Sequence, residues 1–151
     1  MKILFVSHEN NLGGATRSML GIIDELIKDK NNEILVFVPK FNEETKQGKL
    51  TTELEIRNIP YIYKRAYWWM YPKENKKRVM KRMVDYIKVF LTYLTSLKAA
   101  KIAKKRNIEL VHSNSSVSFL GALVARRINS KHIWHIREFG REDHGLEFVL
   151  N

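Results

Sequence analysis

The chain contains no cysteine. That absence excludes a disulfide framework, a thiol nucleophile and any cysteine-based zinc site, and it fits a reducing cytoplasm. Proline and glycine are sparse, at three and seven residues, so collagen-like and low-complexity architectures are excluded as well. No apolar run approaches the roughly 18 residues of a membrane span. The opening Met1-Lys2-Ile3-Leu4-Phe5-Val6 is also too short for a signal peptide. A soluble chain without internal repeats is expected.

What is present is a chain of 151 residues, 44% hydrophobic and 28% charged, enough for one domain with a genuine core. Its net charge of +11 is unevenly placed. Between Tyr61 and Arg106 stand fourteen Lys or Arg and two acids, Glu74 and Asp85, so this segment carries +12 and the remainder −1. The basicity belongs to one element and points to a local anionic partner.

Ile3 to Ser7 and Glu33 to Val38 read as buried strands, with a helix from about Ala15 to Lys28 between them. Residues 40–58 hold a loop and one helix, and Pro60 to Tyr63 a short third strand. A long helical pattern runs from about Glu74 to Lys105, with Met80, Met83, Val84, Ile87, Phe90, Leu91, Leu94 and Leu97 as its core-facing stripe. Ile108 to His112 forms the fourth strand, a helix capped by Ser115 or Ser116 reaches Ile128, and Lys131 to Ile136 forms the fifth strand. Asp143 to Asn151 reads as the opening of another helix. Strands alternating with helices predict an α/β domain with a doubly wound parallel sheet.

In such sheets ligands bind beyond the carboxyl ends of the strands, at the switch in strand order. Three polar clusters fall there: His8 to Gly14, His112 to Ser116, and His135-Ile136-Arg137-Glu138. The usual winding sets their strands side by side, so the clusters converge. Gly13-Gly14 before a helix allows backbone amides to approach an anion, and Arg17 can add a fixed positive fork. A plain strand-to-helix turn accounts for the same glycines. The loop lacks the first glycine of the dinucleotide fingerprint, and the second strand ends in Val38-Pro39-Lys40 without a ribose-binding acid, which argues against an NAD enzyme. It is not a Walker loop, and no His/Asp/Glu spacing suggests a metal. The serines at 113–118 lack a nucleophile elbow. His135 can hydrogen-bond a hydroxyl or exchange a proton, with Glu138 nearby; packing beside Trp134 is the plainer account. His132 reads as structural, while His8 and His112 lie nearer the crevice.

A second candidate surface is the basic helix. Lys76, Lys77, Lys81, Arg82 and Lys88 fall on one side of it, beside Trp68, Trp69 and Tyr71. Exposed aromatics next to cations suit an anionic membrane interface. An ordinary core-facing helix with a solvated cationic face is the alternative. Nucleic acid is not expected, since no reader motif accompanies the charge.

Met1-Lys2-Ile3-Leu4-Phe5-Val6 followed by Leu12-Gly13-Gly14-Ala15-Thr16-Arg17 resembles the start of family-4-type glycosyltransferases. Ile108-Glu109-Leu110-Val111-His112-Ser113-Asn114 resembles their "D-[IV]-[IV]-H-x-H" strand, and Trp134-His135-Ile136-Arg137-Glu138-Phe139 their "H-x-R-E" strand end. The resemblance implies a Rossmann-like domain, residues 1–151, forming the N-terminal, acceptor-side half of a GT-B architecture. It implies retaining transfer from a nucleotide-sugar without a metal or other cofactor. The acceptor is a glycan or lipid-linked molecule, as in surface polysaccharide synthesis. Carried over by position, Gly13 and Gly14 lie near the donor phosphates, His135 and Glu138 are catalytic, and Arg17, His112, Asn114 and Arg137 bind substrate. Trp68, Trp69, Lys76, Lys77, Lys81 and Arg82 face the acceptor or the membrane. Asn114 stands where relatives often carry a second histidine. The donor-binding half is absent from the chain, so the domain alone is expected to be inactive. Its expected location is the cytoplasm, peripherally on the inner face of the membrane. The alternative is a non-catalytic module docking on anionic membrane through the basic helix.

Overall fold

In the computed structural model, residues 1–40, 49–72, 79–136 and 145–149 are described. Five parallel strands form the sheet: β1 (Lys2–Val6), β2 (Glu33–Pro39), β3 (Tyr61–Lys64), β5 (Leu110–Asn114) and β6 (Lys131–His135), in the order β3-β2-β1-β5-β6. Ile3 sits opposite both Ile34 and Leu110, which makes the first strand of the chain the centre of the sheet. β4 (Met70–Pro72) and β7 (Leu146–Phe148) pair as a separate antiparallel ribbon.

The continuous apolar runs of β1 and β2 arise because both sheet faces are covered. Alternate residues serve opposite layers. Ile3 and Phe5 pack with Met19, Leu20 and Ile23 of α1 (Gly14–Leu26) and with Leu50 and Leu54 of α2 (Leu50–Ile56). Leu4 and Val6 pack with Ala99, Ala100 and Ala103 of α3 (Val79–Lys105) and with Leu120 and Val124 of α4 (Leu120–Ile128). The result is a helix–sheet–helix sandwich, as the alternating sequence pattern predicts. On the first face, the Arg57 guanidinium binds both carboxylate oxygens of Asp24 and reaches Glu53, which ties α2 to α1 and raises the arginine's already high pKa.

Three helices stop in the same way. Asn58, Asn107 and Asn129 adopt left-handed backbone angles, with φ of 54°, 54° and 53°. In each case the next amide reaches back five residues: Ile59 to the Leu54 carbonyl, Ile108 to Ala103, and Ser130 to Ala125. Asparagine tolerates this conformation, and the bond satisfies a carbonyl that the helix leaves open.

Three expectations are corrected. The segment after Asp143 is a strand at Leu146–Phe148, not the start of a helix, because its hydrogen-bond partner is the distant Met70–Pro72. Ser113 and Asn114 belong to β5 itself, and α4 begins at Leu120, so neither Ser115 nor Ser116 caps it. The third concerns α3. Its apolar stripe faces outward: Met83, Ile87 and Phe90 are more than half exposed, while Thr92, Ser96, Ala99 and Ala103 are fully buried. Thr92 Oγ1 accepts the Tyr67 amide at 2.8 Å and Thr95 Oγ1 donates to the Arg65 carbonyl at 2.8 Å, so polar bonds and small side chains hold the helix down. Arg127 of α4 stacks over the Tyr93 ring at 4.7 Å.

Candidate functional site

A cleft of about 430 Å³ opens beyond the carboxyl ends of β1 and β5, lined by His8, Glu9, Gly14, Ala15, Trp68, Ser115, Val117 and Leu146. The strand order puts it where the crossover direction reverses, between β1 and β5. The floor comes from the β1–α1 loop. Ser7 Oγ donates to the Glu9 carbonyl at 2.7 Å, and Thr16 Oγ1 donates to Glu9 Oε1 at 3.2 Å. His8 Nε2 stands 3.4 Å from the same carboxylate oxygen. This fixes an acid and an imidazole side by side at the start of α1, where a negative charge is favoured by the helix dipole.

The two glycines of this loop differ. A Cβ on Gly13 would meet Glu9 Oε1 at 2.8 Å, so the carboxylate already fills the space beside it. Gly14, exposed at the first residue of α1, has nothing within 4 Å of that position. Close approach by a ligand is therefore open at Gly14 and not at Gly13.

The opposite wall is built by the turn after β5. Ser115 has a left-handed φ of 83° and is fully buried. Its amide donates to the His135 carbonyl at 3.0 Å, and its own carbonyl accepts Trp134 Nε1 at 2.8 Å, so the ends of β5 and β6 are locked together. The Trp68 indole donates to the His8 carbonyl at 2.8 Å across the mouth. Leu146 arrives from β7, which the Trp69 cluster anchors. The Trp69 ring contacts Phe119 at 5.3 Å, Trp134 at 6.0 Å and Phe148 at 4.9 Å, and its Nε1 donates to the Ser116 carbonyl.

The expected site residues divide accordingly. Gly14 and Trp68 line the cleft. His112, Asn114 and His135 stand behind it: the His112 ring lies 4.9 Å from Phe5 and edge-on to His135 at 5.6 Å, and Asn114 Nδ2 donates to the Ala15 carbonyl at 3.2 Å, bracing the start of α1. Arg17 is on the exposed side of α1, away from the lining. Trp69 is half-buried in its aromatic cluster, where an exposed ring is expected from the sequence; Trp68 is the more exposed of the pair. Arg137 and Glu138 lie outside the described residues, as do Lys76, Lys77 and the side chains of Lys81 and Arg82. His132 is structural: its Nε2 and Ser113 Oγ lie 2.9 Å apart in a hydrogen bond, and burial pushes the imidazole below its ordinary pKa.

Glu9, Ser115 and Leu146 are lining residues that sequence reasoning did not single out. Glu9 and Ser115 fall within the loop clusters already recognised, whereas Leu146 has no local signal because it is brought in by a ribbon that pairs it with Pro72, 74 residues away in the sequence. Among the described residues no group of three or more His, Asp or Glu is arranged to hold a metal ion, and no helix is long and apolar enough to cross a membrane.

No protein-family model and no curated protein sequence matches the chain. Its fold is similar to a glycosyltransferase from Rickettsia africae ESF-5, with a TM-score of 0.58 and 19% identity, covering 88% of this chain and 28% of that one. It is also similar to Anabaena HepE, solved in complex with UDP and glucose, with a TM-score of 0.57 and 19% identity, covering 91% of this chain and 30% of that one. The chain thus spans less than a third of the length of either structure. What it shares with them is a Rossmann-like α/β fold, matched over a fragment of each.

Proposed function

We propose that this chain is the N-terminal, acceptor-side domain of a retaining glycosyltransferase of family-4 type. In this reading the nucleotide-sugar donor is held mainly by a C-terminal domain beyond the chain. The sugar passes to a glycan or lipid-linked acceptor in surface polysaccharide or glycoconjugate synthesis, without a metal, and the domain alone is inactive. The observation that carries it is the cleft at the switch between β1 and β5, with the Glu9 carboxylate in its lining, in a fold similar to two glycosyltransferase structures. The bound UDP and glucose of the Anabaena protein support a nucleotide-sugar as donor.

The cleft has the chemistry for a sugar. Glu9 can accept hydroxyl protons, and the face of the Trp68 indole offers an apolar platform. His135, the last residue of β6, is assigned to the transferred sugar, together with Arg137 and Glu138 that follow it in the sequence. The assay is transfer from a nucleotide-sugar by the chain joined to its donor half. His135→Ala is expected to lower turnover at least about tenfold, as for a polar group that aids the transition state. Unchanged turnover would reject the role given to His135. Sequencing the gene beyond the codon for Asn151 tests the domain assignment, which expects the frame to continue into a second Rossmann-like domain.

A further inference from the structure

Among the described residues, nothing covers the outward face of α3. Met83, Ile87, Phe90, Leu94 and Leu97 recur at spacings of four and three and form one ridge, all of them exposed. At 1.5 Å per residue this ridge is about 21 Å long. Val84 and Leu91 widen it on one side and Tyr86 and Tyr93 on the other, each at least 40% exposed. Nine of the fifteen residues from 83 to 97 are therefore large, apolar or aromatic, and open. A helical seam uses only two positions in seven. The breadth of this face suits a flat, deformable surface.

Charge identifies the surface. The ridge runs directly into Lys98, Lys101, Lys104 and Lys105, all exposed, and Lys98, Lys101 and Lys105 continue its own face. The segment from Tyr61 to Arg106 carries +12 and the remainder of the chain −1. A second copy packed face to face through α3 brings the same cations, against the single acid of that helix, Asp85. The helix cannot itself span a bilayer, so an apolar ridge ending in cations lies on a surface instead of crossing it.

We propose that the outer face of α3 docks on an anionic lipid bilayer, with Met83, Ile87, Phe90, Leu94 and Leu97 entering the acyl boundary and Lys98, Lys101 and Lys105 meeting the headgroups. This face differs from the Trp68, Trp69 and lysine surface that the sequence suggests, since Trp68 is bonded across the cleft mouth and Trp69 is packed inside. The proposal is independent of the glycosyl-transfer reading. It does orient the cleft, because α3 holds the Arg65 and Tyr67 backbone that leads to Trp68.

The test is sedimentation of the whole chain with vesicles of phosphatidylcholine, with and without phosphatidylglycerol. Binding is expected with the anionic vesicles and to weaken severalfold with added salt. The double variant Ile87→Asn, Phe90→Ser is expected to lose at least about tenfold in partitioning, a low figure for withdrawing two large apolar side chains. Lys98→Glu with Lys101→Glu loses about as much on anionic vesicles, and Trp68→Ala loses nothing. Circular dichroism checks that each variant is folded; both double variants alter only exposed positions. Absence of wild-type binding, binding indifferent to lipid charge, or full binding by the folded Ile87/Phe90 variant would each overturn the proposal. So would a wild-type dimer in light scattering that Phe90→Ser converts to monomer, since a second copy would then be the occupant.

Discussion

Adding one methyl group at two glycines should change stability in opposite directions. Gly121 lies buried in α4, and a Cβ there would fall on Ser113 Oγ, with Ser113 Cβ and Val6 Cγ2 each at 3.3 Å. The β5 and β1 backbones that carry these atoms are central strands and cannot withdraw. Ser113 Oγ must therefore turn away and give up its hydrogen bond to His132. Crowding a packed core costs about 1–3 kcal/mol, and a lost buried hydrogen bond about 1 kcal/mol. Against these stands the helix preference of alanine over glycine, about 1 kcal/mol. The net loss is about 2 kcal/mol, which for a chain of this size lowers Tm by about 4–8 °C. Gly21 in α1 is exposed with nothing within 4 Å, so Gly21→Ala keeps the helix gain alone and should stabilise by about 0.5–1 kcal/mol. Thermal and urea unfolding of both variants would measure this. The combination Ser113→Ala, Gly121→Ala removes the principal clash and should recover more than half of the loss. A Gly121→Ala protein as stable as the parent would refute the close α4–β5 packing on which the reasoning rests.

Burial lowers the His132 pKa, so the unfolded chain binds the proton more readily than the folded one. Stability from this group is full above the ordinary histidine value of about 6.5 and falls as pH drops through it toward the lowered folded value. Urea midpoints of the parent should decline more steeply between about pH 7 and pH 5.5 than those of His132→Gln; parallel declines would count against the assignment. The adjacent tryptophans should separate: Trp69→Ala breaks an aromatic cluster and a 2.9 Å hydrogen bond and is expected to destabilise by about 3 kcal/mol. Trp68→Ala, more exposed, should remove less than half of that, and equal losses would contradict the two environments.

β1 and β2 were legible because strands buried on both faces are written as unbroken apolar runs, and the other three strands followed from their alternation with helical patterns. The loop clusters at 8–14 and 112–116 were legible for a related reason: the winding rule fixes where strand ends meet. The orientation of α3 was not. Periodicity reveals that a helix has stripes, but this one has two, the large residues at 83, 87, 90, 94 and 97 and the small ones at 92, 96, 99 and 103. Choosing the larger as the core follows hydrophobicity; the fold instead uses the smaller, whose alanines allow close approach and whose hydroxyls bind the 65–67 backbone. Trp69 and Leu146 were illegible as neighbours of the cleft because the β4–β7 ribbon joins two segments whose pairing leaves no trace in either alone.

The position of β1 also bears on how the protein is made. Of the five strands of this sheet the central one is synthesised first, and its second neighbour, β5, is not synthesised until residues 110–114. Until then a nascent chain holding β1, β2 and β3 presents an unpaired edge of β1. It also presents a bare apolar face of Leu4, Val6, Leu35 and Phe37, since Ala99, Ala103, Leu120 and Val124 have yet to arrive. Such an intermediate is prone to strand addition from a neighbouring nascent chain. Expression level and translation speed therefore matter for this fold, and chaperone binding should peak while α3 is being translated.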